Sequence, residues 1–442
     1  MREMKESNIP WVGPIPKEWN VGRIKQGYDV TLGKMYAAKE QQKEDGTLEN
    51  YLCAANIKWA GIDTSVHKQM YFTEKEKEQY LLNNGDAVVM EGGMAGTTCL
   101  YKGEYYPCYI QNSVHKISSK NNNSTSFFAY WMEVVCSSGY VENVCNKATI
   151  MHYTKDKVCN TPLLLIPVEE QNEIVGYLNE KCSVINSSIS RHQQIIEKLE
   201  EYRKSVITQA VTKGISSNSK VKTTNNKWLD EIPANWDLVR LKHMCRYISD
   251  GSHFSPQTHT DGKPYVTATN IRGIGIDYES CKKINNDDFQ TLANNGCEIF
   301  KDDVLLVKDG ATTGRVGYKN DDVSAVALSS VAIMRSAARV LPMYLMYYLQ
   351  SEPMQQQILS SMAGSAMPRT VIAKIVNYYG VIPPLAEQQI IVSMLNDKTT
   401  EIQHSIEIHQ QLIDKLKEYK QSLIYNAVTG KIDCRTEGGE VQ

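Results

Sequence analysis

One stretch of this chain occurs twice. Glu170 to Ile215 and Glu387 to Ile432 align without a gap at an offset of 217 residues, and 24 of the 46 paired positions are identical. Chance supplies only a few, so the chain is a duplication, and whatever one half folds into the other half folds into again. Upstream of each repeated stretch the likeness thins to scattered motifs. Trp11 with Ile15-Pro16-Lys17-Glu18-Trp19 returns as Trp228 with Ile232-Pro233-Ala234-Asn235-Trp236, and Arg23 and Lys25 return as Arg240 and Lys242. Tyr51, Asn56-Ile57-Lys58 and Gly61-Ile62-Asp63 return as Tyr265, Asn270-Ile271-Arg272 and Gly275-Ile276-Asp277. Asn84 to Val89 matches Lys301 to Leu306, and a Gly-rich turn follows each, Gly92–Thr98 and Asp309–Gly314. A frame kept alike while the rest differs suits two unlike heads on one scaffold; unequal drift of a duplicated domain is the plainer alternative.

The repeated stretches carry heptad spacing. Steps of four and three visit Leu178, Cys182, Ile185, Ile189, His192, Ile196, Leu199, Arg203, Val206 and Ala210 in the first copy. In the second they visit Leu395, Thr399, Ile402, Ile406, His409, Ile413, Leu416, Lys420, Leu423 and Ala427. Sustained over more than four heptads, this spacing predicts a coiled-coil seam. Ile166-Pro167 and Ile382-Pro383-Pro384 mark the starts, because proline is tolerated at the head of a helix and not inside it. Glu169, Glu170 and Glu387 suit the positive N-terminal end. Two such helices in one chain are expected to pair with each other. Antiparallel pairing, favoured because it gives a duplicated chain pseudo-twofold symmetry, puts the two heads at opposite ends; parallel pairing puts them side by side. His192 and His409 hold the same seam position and are expected to help set register rather than bind metal or act as a pH switch. Arg203 and Lys420 can snorkel out of the seam.

The heads, residues 1–165 and 214–382, read as mixed α+β, before a frame of 166–213 and 383–432 and a tail of 433–442. Strands are expected at Ala87–Met90, Val114–Ile117, Val304–Val307 and Val326–Met334, all rich in β-branched residues. Helices are expected at Thr73–Leu82, Ser126–Val135 and Pro342–Gln350. Several loops combine glycine, which lets backbone approach a phosphate, with donors and aromatics suited to DNA. They are Gly33-Lys34-Met35-Tyr36, Asn56-Ile57-Lys58-Trp59, Asp250 to Pro256 with His253 and Phe254, Ala311-Thr312-Thr313-Gly314-Arg315, and Met367-Pro368-Arg369-Thr370. Thr97 and Thr98 in the first Gly-rich turn, Arg272 beside the second Asn-Ile pair, and Lys308 before the second turn complete the candidates. Singly each is weak, since a Gly-Thr-Thr-Gly turn is usually just a tight hairpin. Their weight lies in recurring at matching places in both heads.

Composition narrows the alternatives. At 442 residues the chain has room for about two to four domains. With 42% hydrophobic and 22% charged residues it reads as an ordinary globular protein. A formal charge of −2 argues against a nucleic-acid field over the whole molecule, though not against a local one. The eleven cysteines include no Cys-x-x-Cys pair, which speaks against a zinc ribbon, an iron–sulfur site or a disulfide framework. There is no apolar run long enough to span a bilayer, and Met1–Asn8 is polar, so neither a membrane span nor a secretory signal is expected, and a cytoplasmic location is. Catalytic motifs are missing. Gly27–Met35 resembles a phosphate-binding loop, but its glycines are wrongly spaced and Met35 stands where Ser or Thr is needed. Ile382-Pro383-Pro384-Leu385 lacks the polar residue of an amino-methyltransferase motif, and no zinc-protease or Gly-x-Ser-x-Gly pattern occurs. Asp302-Asp303 and Asp321-Asp322 are expected to be solvated turn carboxylates rather than a Mg²⁺ site. Neither a catalytic residue nor a metal ligand is therefore expected on this chain.

Two divergent heads, each followed by a near-identical long helix opening at Ile-Pro and Glu-Gln, resemble the specificity subunits of type I restriction–modification systems. The likeness rests on Ile166-Pro167 with Glu170-Gln171, Ile382-Pro383 with Glu387-Gln388, and Leu199-Glu200-Glu201-Tyr202-Arg203 against Leu416-Lys417-Glu418-Tyr419-Lys420. Ile15-Pro16 with Trp19, Ile232-Pro233 with Trp236, and the Asp250–Pro256 turn are also typical; the first head shows no obvious counterpart of that turn. The resemblance implies two mixed α/β target-recognition domains separated by an antiparallel two-helix coiled coil. It implies that each domain reads one half of a bipartite double-stranded DNA target across a non-specific gap. It implies partners as well: two methyltransferase subunits carrying S-adenosylmethionine, docked on the helices, and two motor-nuclease subunits using ATP and Mg²⁺. A non-catalytic coiled-coil adaptor that binds proteins and no DNA is the alternative, which a steep salt dependence of DNA binding would exclude.

Overall fold

The computed structural model describes residues 2–36, 46–145, 151–216, 220–362 and 368–435. Met367 and the tail beyond residue 435 lie outside them. The chain divides into two compact units that do not follow chain order: Met1–Arg191 with Leu412–Gln442, and His192–Gln411. Each unit therefore holds one head and a length of both long helices. These helices run Val168–Lys213 and Leu385–Val428, starting directly after the expected prolines. At 46 and 44 residues they extend beyond the heptad run at both ends. No helix among the described residues is long and apolar enough to cross a membrane.

The first unit is built on an antiparallel sheet in the order Thr98–Leu100, Ala87–Met90, Val114–Ser119, Tyr28–Leu32. A second sheet sets Cys108–Ile110 parallel to Thr47–Leu52, which pairs with Gln69–Phe72. Asn20–Arg23 and Pro162–Leu165 pair to close the head at the root of its helix. The core gathers Trp19, Tyr28, Phe127, Phe128 and Trp131 with Ile174, Leu178, Cys182 and Ile185 of the first long helix and Leu423, Ile424, Ala427 and Val428 of the second. Each large side chain so buried contributes about 1.5–3 kcal/mol.

The second unit repeats this plan although its sequence has diverged. Its main sheet runs Val316–Tyr318, Val304–Val307, Val331–Ser336, Cys245–Asp250. In its second sheet Ala325–Ala327 lies parallel to Lys263–Val266, and Asp237–Arg240 pairs with Tyr379–Ile382. Trp236, Tyr344, Leu345 and Tyr348 share a core with Ile207, Ala210 and Val211 of the first long helix and Ile391 and Leu395 of the second. The expected single strand Val326–Met334 is two strands, Ala325–Ala327 and Val331–Ser336, belonging to different sheets. The turn between them falls at Leu328-Ser329-Ser330, which interrupts the apolar run. The helices expected over Thr73–Leu82 and Ser126–Val135 are Glu74–Tyr80, capped by Thr73, and Thr125–Ser137, capped by Ser124.

The matching motifs hold each head to its helix. Trp19 Nε1 donates to Glu170 Oε2 at 2.8 Å, and Trp236 Nε1 to Glu387 Oε2 at 2.9 Å. Gln171 Oε1 accepts the N–H of Ser124, and Gln388 Oε1 that of Leu341, both at 2.8 Å. Ser124 and Leu341 open the helices Thr125–Ser137 and Pro342–Gln350, so one buried amide per head ties two helix starts together. Arg23 and Arg240 each donate to a backbone carbonyl before the closing strand, Asn160 and Asn377. None of the eleven cysteines forms a disulfide, and most are buried.

Candidate nucleic-acid interface

In the second unit the main sheet ends in a row in which carboxylates alternate with nitrogen-bearing side chains. Asp250 closes the strand Cys245–Asp250, and Lys308-Asp309 follows Val304–Val307. Lys308 Nζ lies 3.0 Å from Asp309 Oδ2 and 3.4 Å from Asp250 Oδ1. Asp309 Oδ1 pairs with Arg369 Nε at 3.2 Å, and Asp250 Oδ2 with His253 Nε2 at 3.3 Å. The lysine side chain is 1% exposed, whereas Arg369 and His253 at the two ends are 57% and 67% exposed. A buried cation thus holds two carboxylates, and each carboxylate holds one exposed donor. Such a row suits a polyanion: the exposed ends can contact phosphate or base edges, and the middle fixes their geometry.

Lys308, expected as a DNA contact, is therefore placed where it cannot reach DNA directly. Lys34 is similarly engaged: its ammonium donates to Glu76 Oε2 at 2.6 Å and to the Tyr71 carbonyl at 2.8 Å. Burial raises the Glu76 carboxyl, but the Lys34 and Thr73 hydrogen bonds outweigh it and hold it below the usual carboxylate range. Thr97 and Thr98 are buried, and their hydroxyls donate to the carbonyls of Met94 and Gly96, shaping their own turn. Thr313 does the same with the Gly310 carbonyl, and Thr312 is half-buried.

The other candidates reach the surface. Tyr36 and Phe254 are 56% and 59% exposed. The two occupy matching places. Gly33 and Gly251 each donate to the carbonyl that opens the neighbouring central strand, Val114 and Val331, at 3.1 Å. A Cβ on Gly33 would stand 2.4 Å from the Gln111 carbonyl, and one on Gly251 2.3 Å from those of Ala327 and Leu328, so only glycine fits. The turn that seemed missing from the first head is thus the Gly33–Tyr36 segment, displaced by one residue from the repeat offset.

Lys58 and Trp59 sit exposed at the tip of the hairpin formed by Ile57–Lys58 and Gly61–Ile62. In the second unit an Ile271–Ile276 bridge closes the matching tip, which presents Arg272. The asparagine before each tip is buried and structural. Asn56 accepts from the Cys53 N–H and donates to the Asp63 and Val66 carbonyls, and Asn270 accepts from the Thr267 N–H. Arg272 is steadied by the Thr269 carbonyl at 2.6 Å and Asp277 Oδ2 at 2.8 Å. Hydrogen bonds from Ser280, with Arg272 adding to them, hold the Asp277 carboxyl below the usual range. Exposed Arg315 follows Gly314, whose φ of +96° makes the sharp turn possible. Within this unit Arg272 and Arg315 line an open cavity of about 1180 Å³ together with Arg203 and Lys204 of the first long helix.

The helix seam has its own geometry. Every predicted seam residue, Leu178, Ile185, Ile189, His192, Ile196, Leu199, Val206, Ile402, Ile406, His409, Ile413, Leu416 and Leu423, is buried or half-buried. His192 Nδ1 and His409 Nδ1 are 2.9 Å apart. Among the described residues no group of three His, Cys, Asp or Glu side chains is placed to hold a metal ion. Sequence reasoning missed Asp250 and Asp309 as holders of charge, and His152, which bridges to Gly92 as Arg369 bridges to Asp309. The repeat offset carried forward from residue 152 to residue 369 was the signal for the last.

The chain matches the type I restriction modification DNA specificity domain over residues 16–201 and again over 233–418. It therefore belongs to that family, with two copies of the domain, as a type I specificity subunit. It is 22% identical over 425 residues to the type I restriction enzyme MjaVIII specificity subunit of Methanocaldococcus jannaschii, covering 95% of this chain and 94% of the relative. It is 23% identical over 380 residues to the EcoBI specificity subunit of Escherichia coli, covering 83% and 77%. Among solved structures, a chain from a study of complex assembly and conformational transition of a type I restriction–modification system shares its fold. The TM-score is 0.67 at 14% identity, with 94% of this chain and 98% of that one covered.

Proposed function

We propose that each head of this chain reads one half of a bipartite DNA target and that the two long helices dock the methyltransferase subunits. One observation carries the division of labour. The heads share a strand plan, yet matching positions at this edge differ in chemistry and exposure: Met35 against His253, buried Thr97 against exposed Arg315, and Glu91 against buried Lys308. One scaffold presenting two unlike sets of donors is what two different half-sites require. The proposed DNA contacts are Tyr36, Lys58 and Trp59 in the first head and His253, Phe254, Arg272, Arg315 and Arg369 in the second.

The helices are proposed to pair antiparallel as a coiled coil. Within the second unit, supporting contacts join His192 to His409 and Arg203 to Gln403, while Ile207 and Val211 share a core with Ile391 and Leu395. In that series one helix is followed forward as the other is followed back. The full complex is proposed to hold two methyltransferase subunits with S-adenosylmethionine and two motor-nuclease subunits with ATP and Mg²⁺. The chain itself is proposed to be non-catalytic and cytoplasmic, where chromosomal DNA is met. Co-expression with the methyltransferase partner and mapping of methylated adenines tests the reading. One bipartite motif is expected, and exchanging residues 1–165 for those of another family member should alter one half only. A change in both halves or in neither refutes the division of labour.

A further inference from the structure

We infer that His152 is a specificity-determining DNA contact of the first head, the counterpart of Arg369 in the second. The inference rests on the proposed reading of DNA by the two heads and deepens it. The backbone places the two residues alike. His152 forms an antiparallel bridge with Gly92, and Arg369 forms one with Asp309. The next residue closes each bridge in the same way: Tyr153 N–H donates to the Glu91 carbonyl at 2.7 Å, and Thr370 N–H to the Lys308 carbonyl at 2.9 Å. Both side chains therefore stand beside the Gly-rich turn that follows the second strand of the main sheet. The imidazole is 61% exposed and the guanidinium 57%.

Each also has a carboxylate behind it from that same strand end. Glu91 Oε1 lies 3.9 Å from His152 Nδ1, and Asp309 Oδ1 lies 3.2 Å from Arg369 Nε. Burial raises the Glu91 carboxyl above its ordinary range, with the imidazole opposing that shift. An exposed histidine beside a glutamate is ordinary on any surface. Here it stands where the other copy places an arginine whose carboxylate is in turn held by a buried lysine. Nothing in packing asks for two exposed nitrogen-bearing side chains at equivalent backbone positions in heads whose sequences have otherwise diverged.

The chemistry separates the two halves. An arginine whose Nε faces the Asp309 carboxylate keeps both Nη groups for the paired acceptors of guanine, O6 and N7. The two ring nitrogens of a histidine point apart, so only one of them can meet a given base edge; Glu91 Oε1, 3.9 Å from Nδ1, is too distant to hydrogen-bond the ring. The first head therefore reads the position through one hydrogen bond and the second through two.

The test uses the complex with its methyltransferase partner and maps methylated adenines for H152A, H152Q and R369A. H152A should relax the motif at one position of one half, with about a tenfold loss of discrimination there, and leave the other half unchanged. R369A should relax one position of the opposite half, by more. H152Q, which retains a donor, should keep a preference at the same position, separating base contact from a role in folding. An unchanged motif in H152A, or equal loss at every position, overturns the inference. The exchange of residues 1–165 in the same assay tells the two failures apart. If the exchange alters one half and H152A alters nothing, His152 is not a reader while the heads still read DNA; if neither alters anything, the reading of the heads falls as well.

Discussion

Replacing Lys308 by methionine should destabilise the second unit and disorganise its DNA-facing edge together. The ammonium sits between Asp309 Oδ2 at 3.0 Å and Asp250 Oδ1 at 3.4 Å with almost no exposure. Methionine has similar volume, so packing is preserved and the loss is electrostatic. Breaking a fully buried ion pair costs about 3–5 kcal/mol because the remaining charge has no partner. Asp250 and Asp309 are 28% and 22% exposed, and Asp309 keeps Arg369 while Asp250 keeps the His253 imidazole, so solvent screening lowers the expected cost to about 2–3 kcal/mol. At about 1–3 kcal/mol per molar urea, the midpoint should fall by roughly 0.7–3 M. Hydrogen exchange at Val304–Val307 should report the same loss in this unit. The triple variant D250N/K308M/D309N should recover much of it, because replacing a whole buried ionic cluster by neutral groups is far cheaper than removing one member. K308M should also blur one half of the methylation motif, since the carboxylates that aim His253 and Arg369 lose the buried ammonium that holds them. Wild-type stability in K308M, or a triple variant no better than the single one, would refute the account of Lys308 as the centre of the row.

Three further outcomes are expected. Gln388→Ala leaves the Leu341 N–H and the Arg339 and Pro383 carbonyls without their buried partner and should cost about 1–3 kcal/mol in urea unfolding, as should Gln171→Ala in the first unit; a loss below about 0.5 kcal/mol would show that the amide does not tie the helix starts together. Lys58→Ala and Arg315→Ala should each weaken DNA binding by the assembled complex and flatten the salt dependence of affinity by about one unit of slope, and an unchanged slope removes them from the interface. Burial lowers the affinity of His115 for its proton, with Lys155 adding to the effect against the Tyr153 carbonyl hydrogen bond. The unfolded chain then takes up the proton first, so stability is full above the ordinary value of 6.5 and falls as pH drops below it. His115→Phe should flatten that acid limb of the stability curve, and an equal slope in both proteins would disprove it.

How much was legible varied with how local the cause is. The heptad positions, the helix starts after Pro167 and Pro384, and the short strands Ala87–Met90 and Val304–Val307 follow from spacing and residue type, which act within a few residues. The turn splitting Val326–Met334 was missed because Ser329-Ser330 was read as part of one strand, whereas it is the turn at which the chain passes from one sheet to the other. The Gly33 loop was picked out as a candidate, but its equivalence to the Asp250–Pro256 turn was not, because a one-residue shift broke the repeat offset at that point. The asparagines of Asn56-Ile57-Lys58 and Asn270-Ile271-Arg272 resemble base readers in sequence but close their own hairpins.

The amino-acid order alone established the duplication, the two long helices with their apolar heptad positions, and the family. These rest on periodicity and identity, which survive without knowledge of what lies across a sheet. Only the tertiary structure decided which charges stay free. Lys308, Lys34 and Arg369 look alike in the chain, yet one is buried between two aspartates, one is bound to Glu76 and one is exposed. That distinction depends on carboxylates delivered from distant strands, whose approach is set by the folding of the sheets and by no local pattern.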